Sequence, residues 1–475
     1  MKKLFIFLFF TLFSFLYAQT KINYKLYSPE ELISDFNFMV KTIEDVHPNM
    51  YTKIDSITFQ QEKKIIISTL SDSLNSLDYF KIISPLIAKI GDAHTVVVLP
   101  WDEWEQYVIN GGKYFPFLID YNDGIRVIKC SNSSDTLAIG TRLLKVNGFS
   151  CDSLYDIFKS YRSVERKKYR YFLAANYFRY YLWLNQINPP YNIEVAVNNG
   201  NKIDTIFSDG IGQNQNKNMP SYYYNFKYLP EKIGYIDFRA MFNQHSELFD
   251  DFLKRVFTVL KQDSAKGLIV DLRNNYGGHS SFGDDLLKFI TAKPFRKISK
   301  KIWKSSSQYR DYLREQISWP VRWMSYPPVV WLANLFSKEI DMFTSEDGDF
   351  VEIDYDEIQP GSNPLRYQGK VCFLIGIVTF SSGVDLANAV KDYNIAPLFG
   401  EETGGVPNCF GEGYSFSLPN THIEVSVSSA RFARANGDEK AIGGIKPDYE
   451  IQTTINDRIS GKDSVMEKAT EYILK

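Results

Sequence analysis

The chain has 475 residues, 44% of them hydrophobic and 23% charged, enough to bury a large core over two or three domains and too apolar for a disordered chain. Its 54 basic residues nearly cancel its 56 acidic ones, and a formal charge of −2 draws it to neither nucleic acid nor anionic lipid. No zinc-like spacing of Cys and His occurs, nor a GxGxxG following a strand, so nothing points to a metal or a dinucleotide cofactor.

Lys2 and Lys3 precede an apolar run from Leu4 to Leu16, and Tyr17-Ala18-Gln19 sets a small residue at a cleavage point. This pattern predicts a signal peptide over 1–18, cleaved after Ala18, and a secreted or periplasmic chain. The run, about 13 residues, is too short for a comfortable membrane span, so no stable span is expected after cleavage. The chain holds four cysteines, Cys130, Cys151, Cys372 and Cys409, and free thiols are as compatible with the pattern as disulfides.

Residues 19–100 read as a helical region. Leu32, Phe36, Met39, Val40 and Ile43 recur at helical spacing, as do Phe80, Ile83, Leu86 and Ile90. Gly91-Asp92-Ala93-His94-Thr95 then turns into an apolar strand at Val96–Leu99. Residues 105–210 read as β-rich with one helical stretch. Within them, Arg142–Val146 followed by Asn147-Gly148 is a strand entering a hairpin turn.

Over 220–460, strand and helix alternate. Ile233–Phe238 is strand-like, Leu248–Leu260 is an amphipathic helix, and Gly267–Leu272 and Val371–Val378 are continuous apolar strands, as expected when both faces are covered. A helix follows over Val384–Tyr393. This rhythm predicts a layered α/β core in a multidomain α/β chain. An insertion at about 300–355 carries Trp303, Trp319, Trp323, Tyr326 and Trp331 without clear period. It reads as a peripheral subdomain packing its own aromatics, with a lid over a site as the alternative.

Reactive residue types gather where strands run out. One junction is Asp271-Leu272-Arg273-Asn274-Asn275-Tyr276-Gly277-Gly278, and another is Thr379-Phe380-Ser381-Ser382-Gly383. A serine at a strand-to-helix turn exposes its hydroxyl beside the positive helix end, although Ser381 or Ser382 could equally be a helix cap. The glycine pair 277–278 allows backbone N–H groups close to a substrate oxygen, or serves a plain turn. Five histidines are available, His47, His94, His245, His279 and His422, and an imidazole titrating near neutrality suits a general base.

Taken in order, Gly-Asp-Ala-His-Thr at 91–95, the 140–148 hairpin, Asp-Leu-Arg-Asn-Asn-x-Gly-Gly at 271–278, Thr-Phe-Ser at 379–381, Gly-Glu-Glu-Thr-Gly-Gly at 400–405 and Gly-Gly-Ile-Lys-Pro-Asp at 443–448 resemble the S41 serine peptidases. The resemblance runs from about residue 28 to 448. It implies a PDZ-like domain over 105–210, where Thr141 replaces the usual Asp, and a ClpP/crotonase-like catalytic core over 220–460. It is similar to the histidine-using, tricorn-like branch. The loop after Glu402 lacks the lysine of the tail-specific branch, and Lys391 matches no motif.

That likeness implies Ser381 as nucleophile, with Ser382 as runner-up because it keeps an acid three residues on, at Asp385. It implies His94 as base, with His279 as rival, and Glu439 as the acid orienting the base. Oxyanion contacts would come from the backbone at Gly277, Gly278, Ser382 and Gly383. Two departures stand out: Val384 occupies the family's usual glutamate position, and Ala93 replaces a serine before the histidine. The implied activity is a serine endopeptidase or C-terminal processing peptidase acting on peptides or proteins. The alternatives are a peptide- or hydrophobic-ligand-binding protein on the same fold and a non-peptide acyl hydrolase.

Overall fold

A computed structural model describes residues 24–475 apart from 122–123, 131–136, 198–201, 213–221, 318–321, 323–324, 327–328 and 331–337. The signal segment, and Trp319, Trp323 and Trp331 of the insertion, lie outside the described residues.

The chain opens with three helices, Pro29–Val46, Ser56–Thr69 and Ser76–Ala88. Ser28 caps the first in a reciprocal pair with Glu31, and Pro29 supplies a pre-set φ at its first turn. Leu32, Phe36, Met39, Val40 and Ile43 all face inward, which is the stripe their spacing predicts. Asp35 is also fully buried on that face, and its carboxylate accepts bonds from the backbone and side chains of Asn420 and Thr421 at 2.7–2.9 Å.

The 105–210 region is built on a six-stranded sheet whose ladders are all antiparallel: Phe117–Tyr121, Ile125–Cys130, Arg142–Val146, Phe149–Ser150, Tyr191–Val197 and Lys202–Ser208. Asn147 and Gly148 both take positive φ (49° and 83°), as a two-residue hairpin turn requires. Instead of one helical stretch there are three helices, Cys151–Ser160, Lys167–Asn176 and Phe178–Leu184. Their aromatic-rich sequences (Tyr155, Phe158, Tyr181, Trp183) blur the helical period, yet they bury those rings against the sheet.

The core sheet runs Tyr449–Glu450, Leu398–Gly400, Lys370–Ile375, Gly267–Asp271, Ile233–Phe238, Tyr224–Leu229, parallel except for the last edge pair. Every residue of Gly267–Asp271 is buried, because helices cover both faces. Phe249–Gln262, Ser281–Lys288 and Ser382–Asp392 pack on one side, and Ser464–Leu474 seals the other through Val465, Ala469 and Ile473. The fold is a layered, multidomain α/β architecture.

The 300–355 region departs from a peripheral subdomain. Its strands Ile298–Lys304 and Phe350–Asp354 pair with each other, and the first also pairs with Glu424–Arg434, inside a five-stranded sheet. Trp303 is buried there, and its indole donates to Glu412 at 3.0 Å. The same sheet takes in Val96–Val97, whose partners are Ser426 and Val425, and so fixes the strand leaving His94. All four cysteines are free thiols. Among the described residues no helix is long and apolar enough to cross a membrane.

Candidate active site

Two neighbouring parallel strands, Gly267–Asp271 and Lys370–Ile375, end side by side, where α/β sheets place their sites. Beyond them the two loops are tied together. Thr379 Oγ1 donates to Leu272 O at 2.7 Å, Phe380 N to Asn275 O at 2.9 Å, and the buried Asn275 amide donates to Phe238 O at 2.9 Å. These bonds hold Ser381 at φ 52°, ψ −130°, a conformation costing ~1–3 kcal/mol for a non-glycine residue. Such a bend lifts the hydroxyl clear at the mouth of the helix Ser382–Asp392.

Gly277 stands directly against this bend. A Cβ there would meet Ser381 Cβ at 2.7 Å and Phe380 O at 3.0 Å, and its own φ is +97°. Both the conformation and the space exclude a side chain. The Gly277 N–H is already given to Asn275 Oδ1 at 2.9 Å, and that of Gly383 to Phe380 O at 3.0 Å. Of the four expected oxyanion donors, those two are therefore occupied. Ser382 N, next to Ser381 in the chain, and Gly278 N have no acceptor among the described residues. Ser382 itself is buried, and its Oγ donates to Gly278 O at 2.7 Å. It is a strut between the two loops rather than an exposed hydroxyl.

His94 Nε2 lies 3.3 Å from Ser381 Oγ, across 287 residues of sequence. Its ring stacks on Phe380 (centroids 4.9 Å), which stacks in turn on Tyr169 (5.2 Å). The loop carrying it is nailed down by Asp92, whose carboxylate accepts from His94 N, Thr95 Oγ1, Ser428 Oγ and His47 Nε2. Burial pushes the Asp92 carboxyl upward, but the adjacent His47 and His94 side chains outweigh it and hold the group well below the usual carboxylate range.

His279, the rival base, packs its ring on Phe242 and Phe282. Lys391 pairs with Asp448. Neither touches Ser381 among the described residues. The structure also separates Glu439 from His94: this carboxylate pairs with Arg431 at 2.8 Å, both side chains about two-fifths exposed. The strand Glu424–Arg434 ends before Glu439, and the turn after it carries that residue outward.

The carboxyls behind His94 are instead Asp92, with Oδ1 3.8 Å from Nδ1, and Glu165. Asp385 lies close enough to act on the ring by charge, and burial lifts its carboxyl to about 6 against the pull of Lys297 and His94. Asp92 already accepts four hydrogen bonds, so Asp92, His94 and Glu165 do not offer a cation three free ligand atoms.

The segment Ser163–Arg166 escaped the sequence reading. Ser163 Oγ accepts from Asp92 N at 2.9 Å, Glu165 Oε1 from Ala93 N at 3.3 Å, and Arg166 pairs with Glu402 at 2.7 Å. These contacts span 71 residues or more, and nothing local marks a Ser-Val-Glu-Arg stretch between two helices. Asn275 likewise reads as one polar residue in a turn, yet it fixes Gly277.

Fold and site together are those of a serine-type peptidase. Residues 232–451 match the profile of Peptidase family S41, and this part of the chain is an S41 peptidase core. The fold likeness extends beyond it. Mature CPAF covers 94% of this chain and 96% of its own at 15% identity and TM-score 0.65. CPAF complexed with lactacystin covers 94% and 98% at 14% identity and TM-score 0.66. At such identity the likeness is one of fold. No protein of curated function matches the chain in sequence.

Proposed function

We propose that this protein is a secreted or periplasmic peptidase that cleaves peptide bonds through Ser381, with His94 as general base. The observation carrying this reading is the 3.3 Å approach of His94 Nε2 to Ser381 Oγ at a strained bend opening a helix. The imidazole takes the serine proton as Oγ attacks the substrate carbonyl, then returns it to the leaving amine. Ser382 N and Gly278 N receive the developing oxyanion, a contribution of about 3 kcal/mol per donor. The antiparallel sheet over 117–208 acts as a PDZ-like module that holds extended peptide by strand addition. The signal segment at 1–18 sends the chain out of the cytoplasm.

Active-site labelling of the purified protein with a fluorophosphonate, followed by peptide mapping, tests this. Label on Ser381 that disappears in Ser381→Ala and His94→Ala is the expected result. Label on another serine, or none, overturns the assignment. Cleavage of peptide in preference to ester substrates separates a peptidase from an acyl hydrolase.

A further inference from the structure

His94 Nδ1 is a buried ring nitrogen with no hydrogen-bond partner, and Glu165 Oε2 is a buried carboxylate oxygen with none. One ring nitrogen of His94, one carboxylate oxygen of Glu165 and one of Asp92 lie within 4.8 Å of one another. Asp92 cannot serve the ring well. Its Oδ2 takes three donors, and its Oδ1 takes His94 N while lying 3.8 Å from Nδ1, beyond hydrogen-bond length. Glu165 has one weak anchor, Ala93 N at 3.3 Å on Oε1, and a free second oxygen. It also lines a cavity of about 830 Å³ with Lys53, Gly91, Val164 and Arg170.

We propose that Glu165 is the positioning carboxylate for His94: a small rotation of its side chain brings Oε2 onto Nδ1–H, which fixes the tautomer with Nε2 bare toward Ser381 and offsets the imidazolium formed during attack. This rests on the Ser381–His94 reading and replaces Glu439 in that role. Two unpaired buried polar atoms on neighbouring side chains are costly apart and satisfied together. Burial and the Asp92 charge lift the Glu165 carboxyl to about 7, against the pull of His94, so it ionises where a neutral imidazole is also available. The groups facing His94 are Asp92 on its own loop, Glu165, and Asp385 from the helix after Ser381. His47 stands beyond Asp92, and Lys297 beyond Asp385. Cys409, its thiol pushed well up by burial, is neutral among the three carboxyls.

The test is the rate of fluorophosphonate labelling of Ser381 from pH 5 to 9 in the full chain. Glu165→Gln lowers the plateau by about 10²-fold, a milder loss than that of a fully committed triad acid. Its acid limb also moves down by about half a pH unit, because one anion near the imidazolium is gone. Glu165→Asp restores part of the rate and keeps the midpoint, while Glu439→Gln labels like wild type. Labelling of Glu165→Gln within twofold of wild type overturns the proposal, and so does a lower rate with an unmoved midpoint, which a packing role alone would give. Should Glu165→Gln fail to fold, Glu165→Asp reads the same quantities, and a wild-type rate there is equally fatal. No label at Ser381 in wild type sinks the Ser381 reading and this inference with it. Label at Ser381 with Glu165→Gln unaffected sinks this inference alone.

Discussion

Gly277 and Ser381 occupy one another's space: a single methyl on the glycine would fall 2.7 Å from the serine Cβ. The two loops of the site thus meet backbone to backbone, and their spacing is set by the absence of a side chain. Gly277→Ala must either push Ser381 away from His94 or leave its φ of +97°. We expect a loss of about 10²-fold or more in labelling of Ser381, because displacement near 1 Å suffices for that. Strain adds a stability loss of ~1–3 kcal/mol, read as a lower unfolding midpoint in urea. Labelling at the wild-type rate would show that the loops part without cost.

The adjacent serines separate by role. Ser381→Ala abolishes labelling while the protein stays folded. Ser382→Ala removes only the 2.7 Å strut to Gly278 O and leaves the nucleophile in place. Losing that hydrogen bond costs ~1 kcal/mol of stability, so the urea midpoint falls slightly while Ser381 still labels. Complete loss in Ser382→Ala, with label retained in Ser381→Ala, would reverse the two residues.

Much of this site is legible in the sequence, and the part that is not has a physical cause. The two central strands follow from continuous apolar runs, as doubly covered strands show, although the runs extend to Leu272 and Val378 while the strands end at Asp271 and Ile375. Gly277 and Ser381 sit just past such ends, so their motif locates them. His94 is singled out from the five histidines by the family resemblance alone, and its ring lies 3.3 Å from Ser381 Oγ. Glu439 fails because its motif fixes a distance along the chain, whereas its side-chain direction depends on the turn after Arg434 and on the attraction of Arg431. Glu165 is silent because its value lies entirely in contacts with a loop more than 70 residues away. The strands flanking the 300–355 region were hidden for a related reason: the adjacent Lys300 and Lys301 break any apolar alternation over Ile298–Lys304, which resembles surface chain until Glu424–Arg434 is laid beside it.

The pH dependence of labelling follows from the charges around His94. Burial alone would favour the neutral ring, but the adjacent Asp92 carboxylate, with Glu165 and Asp385, outweighs it and raises the imidazole above its usual 6.5. His94 acts as base only when neutral, so the acid limb of the labelling rate has its midpoint above 6.5. The folded chain holds this proton more tightly than the unfolded chain. The resulting stabilisation is complete below 6.5 and is lost as pH rises through the folded value. Thermal unfolding of wild type against His94→Ala therefore shows a difference that shrinks across the interval where labelling grows. A labelling midpoint below 6.5 would mean that burial dominates the carboxylates.

The helix Pro29–Val46 stays attached to the core through Asp35. Its carboxylate gathers Asn420 N and Nδ2 on one oxygen and Thr421 N and Oγ1 on the other, all within 2.9 Å and out of water. Asp35→Ala leaves these donors facing a buried gap. Stranding several donors together costs ~3 kcal/mol or more, well above the value of any surface ion pair. The expected result is a markedly lower urea midpoint with an unchanged slope. Labelling of the folded fraction should stay near wild type, because the strand Val96–Val97 still holds His94 from Val425 and Ser426. A parallel fall in labelling of protein that remains folded would mean instead that the 418–423 loop carries the site through that strand, and that the N-terminal helix belongs to the catalytic framework.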